Sequence, residues 1–152
     1  MALLSLARRC EEATAADREL DCLIALAVHD VRRTGEKIER DDKPLGNIIG
    51  SVRDERGLVI RNVIYEPFTA SIDAALTLVP ENCAIRIDNG PCHWICLGKQ
   101  KPMGRVDVRY PKPDYDGQGD SWLEVSAIAA TPALALCAAS LKARASTEAT
   151  NG

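Results

Sequence analysis

The uncharged run from Val125 to Leu141 constrains the fold of this chain more than any other feature. It is short for a membrane span, which takes about 20 apolar residues, and Thr131-Pro132 interrupts it. Threonine is a preferred helix N-cap, and proline is favoured at the first helical position. The run therefore predicts a strand, then a capped helix from Pro132. The predicted apolar stripe of that helix is Leu134, Cys137, Ala138, Leu141 and Ala145.

Three further segments have the apolar spacing of an amphipathic helix. The first covers Leu3 to Cys10, and the second begins at Asp17, which is a good N-cap. The third begins after Thr69 or Ser71 and stops at Pro80, since proline cannot continue a helix. The predicted apolar faces are Leu20, Leu23, Ile24 and Ala27 in the second helix, and Ile72, Leu76 and Val79 in the third.

Alternation of apolar and polar residues predicts strands in CAIRID, CHWICL, RVDVRY and WLEVSAIA. Asn89-Gly90 offers turn chemistry for a hairpin between the first two. Upstream, LGNIIGSV and LVIRNVI predict a hairpin around Asp54 to Gly57, whereas GEKIERDDKP is a charged, turn-prone stretch. Short connections imply antiparallel pairing. We therefore predict an α+β fold with about four helices and a largely antiparallel sheet of about four to six strands.

The length of 152 residues suits a single domain. We predict one domain over residues 1–145, with a charged, hairpin-bearing excursion at 29–66, and a disordered tail at 146–152. The net charge of −3 disfavours non-specific nucleic-acid binding. Apolar residues precede Arg8 and Arg9, which is the reverse of a secretory signal. We therefore expect a soluble intracellular protein with reduced cysteines and no membrane partner.

The segment PCHWIC holds two cysteines and a histidine within a few residues. In an extended strand, Cys92, Trp94 and Cys96 share one face and His93 takes the other. The two cysteines would then lie about 13 Å apart, too far for a disulfide or a shared zinc ion. We interpret the segment as a strand with a buried Cys-Trp-Cys face. A metal or redox site, which requires a tight turn, is the alternative.

The segment DYDGQGD, residues 114–120, has alternating oxygen-bearing side chains and resembles a calcium loop. Its twelfth position is Val125 instead of glutamate, and its predicted flanks are strands. We interpret it as a connecting loop, with a loop that closes over a ligand as the alternative. No phosphate-binding glycine loop or nucleophile-elbow motif occurs in the sequence. We identify no catalytic residue, no metal ligand and no cofactor, so the sequence favours a non-enzymatic role.

Three segments, in the order LARRCEEATAADRELDCLIALAV, FTASIDAALTLVPEN and ATPALALCAASLKARA, resemble small phage and prophage proteins of the phage ABA sandwich domain family. The similarity covers residues 3–28, 67–88 and 122–145, and ASIDAALTLVPE is its most specific element. The resemblance implies a three-layer α/β/α sandwich, and a phage-encoded protein located in the host cytoplasm. It carries no catalytic motif, so no site residue is transferred from it.

We expect an accessory protein for host takeover or anti-defence that binds a host protein or a small nucleotide-like signal and forms a homo-oligomer. The candidate ligand-binding residues are Arg86, Arg105, Arg109, Tyr115 and Trp122. Arginine suits phosphate groups, although the three arginines also fit ordinary outward-facing strand positions. The alternative functions are a virion-associated structural protein and a small metal- or thiol-dependent hydrolase that uses His93 with a thiol or with the Asp loop.

Overall fold

The computed structural model describes residues 3–29, 34–91, 102–112 and 122–151 of the chain. The helices in these ranges are α1 (Leu3–Glu12), α2 (Arg18–Val28), α3 (Ile72–Leu76) and α4 (Pro132–Asn151). The strands are β1 (Lys37–Leu45), β2 (Ile48–Arg53), β3 (Val59–Ile64), β4 (Ala84–Pro91), β5 (Pro102–Pro111) and β6 (Trp122–Ala129). None of the described helices is both long enough and apolar enough to cross a membrane.

The described strands form two antiparallel sheets, which confirms the predicted α+β class. The first sheet has the order β1-β2-β3 and the second sheet the order β4-β5-β6. The prediction of one larger sheet is not confirmed, because the six strands divide equally between the two sheets. The hairpin of β2 and β3 around Asp54 to Gly57 is confirmed. In that turn, the Asp54 carboxylate accepts hydrogen bonds from the backbone N–H groups of Arg56 and Leu58, each at 2.9 Å.

The predicted turn at Asn89-Gly90 is wrong. β4 pairs directly with β5, and their register runs from Ala84 opposite Arg109 to Pro91 opposite Pro102. Asn89 and Gly90 therefore lie within the strand pair, where ladder pairing overrides the local turn preference. The predicted CHWICL strand falls at residues 92–97, outside the described residues.

The core is centred on α4. Every residue from Ala133 to Leu141 is buried, so this part of the helix is buried on all sides and not along one predicted stripe. Helices α1 and α3 and the second sheet all pack against it. The predicted cap is confirmed, because the Thr131 hydroxyl accepts a hydrogen bond from the Leu134 N–H at 3.2 Å. Alanine-rich sequence allows this close approach from several directions.

The last turns of α4 correct the predicted disordered tail, because the helix continues to Asn151. The Ser146 hydroxyl donates to the Lys142 carbonyl at 3.0 Å, and the Thr147 hydroxyl donates to the Arg144 carbonyl at 2.9 Å. These polar side chains satisfy their donors within the helix. They therefore do not end it, although their composition is typical of a frayed terminus.

The predicted N-cap of α2 is confirmed, whereas the predicted buried face of α3 is wrong. The Asp17 carboxylate accepts hydrogen bonds from the backbone N–H groups of Glu19 at 2.9 Å and Leu20 at 3.2 Å. In α3, which begins after the N-cap Ser71, the predicted core residues Ile72 and Leu76 are exposed. The residues buried in this region are Ala75 and Leu78. Because α3 is little more than one turn, its few apolar positions do not determine which face is buried.

Strand β1 corrects the prediction of a charged turn at GEKIERDDKP. Residues Lys37 to Arg40 pair with Arg53 to Gly50 of β2. The charged side chains are mostly exposed and form ion pairs, including Arg40 with Glu19 at 2.6 Å and Arg53 with Glu39 at 2.8 Å. Main-chain pairing at a sheet edge is therefore compatible with a sequence that has little apolar alternation.

Candidate ligand-binding face of the second sheet

Three of the predicted ligand-binding residues lie on one face of the second sheet. In β5, Val106 and Val108 are buried, whereas Arg105, Asp107 and Arg109 take the alternating positions. Successive side chains of a strand point to opposite faces. The valines therefore face the core and the charged residues face away from it.

The cross-strand register extends this charged surface over all three strands. Arg86 of β4 lies opposite Asp107, and in β6 Glu124 lies opposite Arg109 and Ser126 opposite Asp107. Residues directly opposite each other in antiparallel strands share a face. We call this surface the outer face. It consists of Arg86, Asp88, Arg105, Asp107, Arg109, Trp122, Glu124 and Ser126.

The outer face contains a depression of about 410 Å³. Small-molecule sites typically have volumes of roughly 300–1,000 Å³, so the depression is large enough for a small ligand. The residues that line it are Ala84, Ile85, Arg86, Arg105, Asp107, Arg109 and Glu124. Guanidinium groups from two strands and carboxylates from two strands therefore meet around one volume.

Each of the three arginines is paired with a carboxylate. Arg105 Nε lies 3.2 Å from Asp107 Oδ1, and Arg109 Nε lies 2.6 Å from Glu124 Oε2. At the edge of the sheet, Arg86 Nε lies 3.4 Å from an Asp88 oxygen. The Arg86–Asp88 and Arg109–Glu124 pairs are exposed, and ion pairs at such positions contribute only about 0–1 kcal/mol each. A ligand can therefore displace a carboxylate from its arginine at small cost.

Asp107 is the most buried carboxylate on the outer face, with a side chain that is 12% exposed. The Ser126 hydroxyl donates to its Oδ1 at 2.7 Å. Burial alone would raise the pKa of Asp107. The hydrogen bonds from Ser126 and Arg105, with the charges of Arg105 and Arg86, outweigh that effect and lower the pKa. Asp107 is therefore a fixed anion at neutral pH, and it orients the Arg105 guanidinium.

Of the two other predicted site residues, Trp122 and Tyr115, only Trp122 lies within the described residues. Trp122 begins β6 opposite Pro111, on the outer face and two residues from Glu124, and its side chain is exposed. Tyr115 lies outside the described residues, as do His93 and the Asp loop at 114–120.

Asp107, Glu124 and Ser126 are members of the site that were not predicted from the sequence. Alternation within RVDVRY predicts that Asp107 points away from the core, whereas no facing is predicted for Glu124 and Ser126 within WLEVSAIA. However, only the register shows which of them lie beside the arginines. The observation that could have found them is the direct pairing of β4, β5 and β6.

Two of the described thiols, one on α1 and one on α4, lie in the core in an unreactive environment. Cys10 and Cys137 are buried, and the Cys137 thiol donates to the Phe68 carbonyl at 3.2 Å. A hydrogen bond with Cys10 and burial raise the pKa of Cys137, which keeps the thiol protonated and unreactive. Among the described residues, no group of three or more His, Cys, Asp or Glu side chains could hold a metal ion. Neither observation supports the hydrolase alternative.

No protein-family model, curated protein or solved structure matches this chain. The resemblance to the phage ABA sandwich family therefore stays a prediction.

Proposed function

We propose that the protein is a non-enzymatic binding protein whose outer face takes a small nucleotide-like ligand. One observation carries the proposal: Arg86, Arg105 and Arg109, from two neighbouring strands, border one depression of about 410 Å³. Guanidinium groups bind phosphate oxygens through two parallel hydrogen bonds. An anionic ligand of moderate size suits this surface better than a large apolar one, because the lining is mainly charged.

The carboxylates of the depression favour a nucleotide over a simple anion. Asp107 and Glu124 can only accept hydrogen bonds when ionised. A nucleotide offers donors, namely the sugar hydroxyl groups and the amino groups of some bases, together with phosphate oxygens for the arginines. Inorganic phosphate offers oxygens to the arginines but few donors to the carboxylates. The mixed charge of the outer face therefore matches a ligand that carries both kinds of group.

We further propose that the protein is encoded by a phage or prophage and acts in the host cytoplasm, in host takeover or anti-defence. The resemblance of three segments to the phage ABA sandwich family supports this context, and it implies that the helices and sheets form a three-layer α/β/α sandwich. Sequestering a nucleotide-like host signal combines the proposed context with the proposed site. A host protein as partner and a virion-associated role remain the alternatives to this proposal.

Titration with a ligand series tests the binding proposal. The series consists of a nucleoside, its monophosphate, its triphosphate, a cyclic dinucleotide and inorganic phosphate. We expect at least one nucleotide to raise the melting temperature and to give a calorimetric binding signal, whereas the nucleoside gives neither. Arg109→Ala should weaken that binding by at least about tenfold, because a hydrogen bond to a charged group contributes about 1.5–3 kcal/mol.

Arg8→Ala is the matched control for this experiment. Arg8 is also an exposed arginine in an ion pair, 2.8 Å from Glu12, but it lies on α1, outside the outer face. Its replacement should leave nucleotide binding unchanged. The proposal fails if no nucleotide binds, or if Arg8→Ala and Arg109→Ala weaken binding equally, since the second result would indicate a non-specific charge effect.

A further inference from the structure

Trp122 and Glu124 are neighbours on the outer face of β6. Both side chains are exposed, Trp122 at 40% and Glu124 at 41%, whereas Leu123 between them packs against the core. Positions i and i+2 of a strand share one face and lie about 6.8 Å apart. An aromatic ring system therefore lies next to a carboxylate that lines the depression.

Glu124 is the more accessible of the two carboxylates that line the depression. Its side chain is 41% exposed, compared with 12% for Asp107. Asp107 Oδ1 also accepts hydrogen bonds from Ser126 and Arg105. An ionised carboxylate only accepts hydrogen bonds, at about four lone-pair positions. The bond from Arg109 Nε to Glu124 Oε2, at 2.6 Å, uses one of these positions, so Glu124 can accept two further bonds in parallel.

We propose that Trp122 and Glu124 select guanine among the nucleotide bases, an inference that rests on the proposed nucleotide-binding function. Guanine presents two adjacent donors on one edge, N1–H and the N2 amino group, which match the two oxygens of one carboxylate. The corresponding edges of adenine, cytosine and uracil place an acceptor next to the donor, and that acceptor would face a carboxylate oxygen. An indole stacks on any base. Trp122 therefore contributes affinity, and Glu124 contributes the choice of base.

The arginines further along the outer face suit the phosphate groups of the same ligand. Arg105 lies four residues from Arg109 along β5, a distance of about 13 Å. Arg86 of β4 lies opposite Asp107, midway between these two arginines. A nucleotide whose base stacks on Trp122 can therefore extend across β5 and place its phosphates beside the Arg86 and Arg105 guanidinium groups.

Calorimetric titration with nucleotides that differ only in the base tests this selectivity. The probes are the mono- and triphosphates of guanosine, inosine and adenosine, together with cyclic di-GMP and cyclic di-AMP. Guanine nucleotides should bind at least about tenfold more tightly than their adenine counterparts, because a bidentate contact to a base discriminates by roughly this factor. Inosine nucleotides, which lack the N2 amino group, should bind with intermediate affinity.

Two variants separate the choice of base from stacking. Glu124→Gln replaces two acceptors by one acceptor and one donor, a pattern that matches adenine and not guanine. Its affinity for guanine nucleotides should fall at least about tenfold, while its affinity for adenine nucleotides should not fall. Trp122→Ala should weaken the binding of both classes by a similar factor, at least about fivefold, because stacking tolerates every base.

Glu12→Gln is the matched control, because Glu12 is also an exposed glutamate paired with an arginine but lies on α1. It should leave both affinities unchanged, and circular dichroism should confirm that all variants fold. Nucleotides that bind without a preference for guanine would overturn this inference and leave the proposed function intact. A guanine preference that survives Glu124→Gln would do the same. If no nucleotide binds, the inference and the proposed function both fail.

Discussion

Folding changes the ionisation of Asp107 on the outer face. Its pKa is lowered in the folded state from the unfolded value of 3.8. Its contribution to stability is therefore fully present above pH 3.8 and is lost as the pH falls through the lower folded pKa. We predict that Asp107→Asn lowers the free energy of unfolding by about 1–2 kcal/mol at pH 7. The difference from the parent protein should shrink below pH 3.8, as measured by urea unfolding at both pH values.

Asp88→Asn is the matched control for this prediction. Asp88 also pairs with an arginine of the outer face, but its side chain is 51% exposed and the pair distance is 3.4 Å. Its replacement should change the free energy of unfolding by no more than about 0.5 kcal/mol at neutral pH. Equal effects of the two variants would contradict the assigned difference between Asp107 and Asp88.

Asp21 shows what sequence analysis cannot find at the residue scale. It is a buried carboxylate on α2, and it accepts hydrogen bonds from the Thr69 N–H at 2.7 Å and the Tyr65 hydroxyl at 3.1 Å. The guanidinium carbon of Arg18 lies 4.4 Å from the centre of the Tyr65 ring. In RELDCLIAL, Asp21 is an ordinary polar position of an amphipathic helix. Only the long-range contact with the segment before α3 explains its burial.

At the element scale, the start of α4 lies against Gly104 of β5. A Cβ atom at Gly104 would lie 2.5 Å from the Pro132 Cα and N atoms, and 2.7 Å from the Thr131 carbonyl carbon. These are backbone atoms of the capped helix start, which cannot move without displacing α4. We therefore predict that Gly104→Ala lowers the free energy of unfolding by about 2–3 kcal/mol. Urea unfolding measures this loss.

Gly46→Ala separates crowding from backbone conformation. Gly46 has a φ of +61°, and nothing lies within 4 Å of a Cβ atom built there. Its replacement should therefore cost about 1 kcal/mol, from the left-handed conformation alone. If Gly104→Ala proves no more destabilising than Gly46→Ala, the close approach of β5 to α4 is not as tight as the structure indicates.

The elements that the sequence predicts well are those with local signals. Asp17 and Thr131 are capping residues directly before an apolar pattern, so α2 and α4 could be located from a few neighbouring residues. β1 was missed because its pairing with β2 uses main-chain groups, and its side chains carry charge instead of alternation. Asn89-Gly90 was misinterpreted because its local turn preference competes with a ladder whose partner is distant in sequence.

At the scale of the whole molecule, the choice of strand partners decides both the fold and the candidate site. The sequence predicted that Arg86, Arg105 and Arg109 point outward, and this depends only on alternation. Their meeting around one depression depends on β4 pairing with β5. A hairpin between β4 and CHWICL, as predicted from the sequence, would give Arg86 different neighbours. Strand order is a non-local property, so periodicity alone could not predict the depression.

The distribution of buried residues predicts that α4 and β1 open at different free energies. Residues 133–141 of α4 are all buried, and from Ala135 onward their amides form helical hydrogen bonds inside the core. β1 is an edge strand with mostly exposed side chains over 37–43. Elements with few buried apolar contacts open at lower free energy than the core. We predict that amides in 133–141 exchange with deuterium at least about a hundredfold more slowly than those in 37–43, a difference of about 2.7 kcal/mol.

Mass spectrometry of peptides from each region measures this difference, and low denaturant concentrations identify its cause. Exchange in α4 should accelerate with denaturant as strongly as global unfolding does, because its amides open only when the whole core opens. Exchange in β1 should respond weakly, since local opening of an edge strand exposes little new surface. Equal protection and equal denaturant dependence in both regions would contradict this prediction, and would mean that the first sheet and α4 unfold as one cooperative unit.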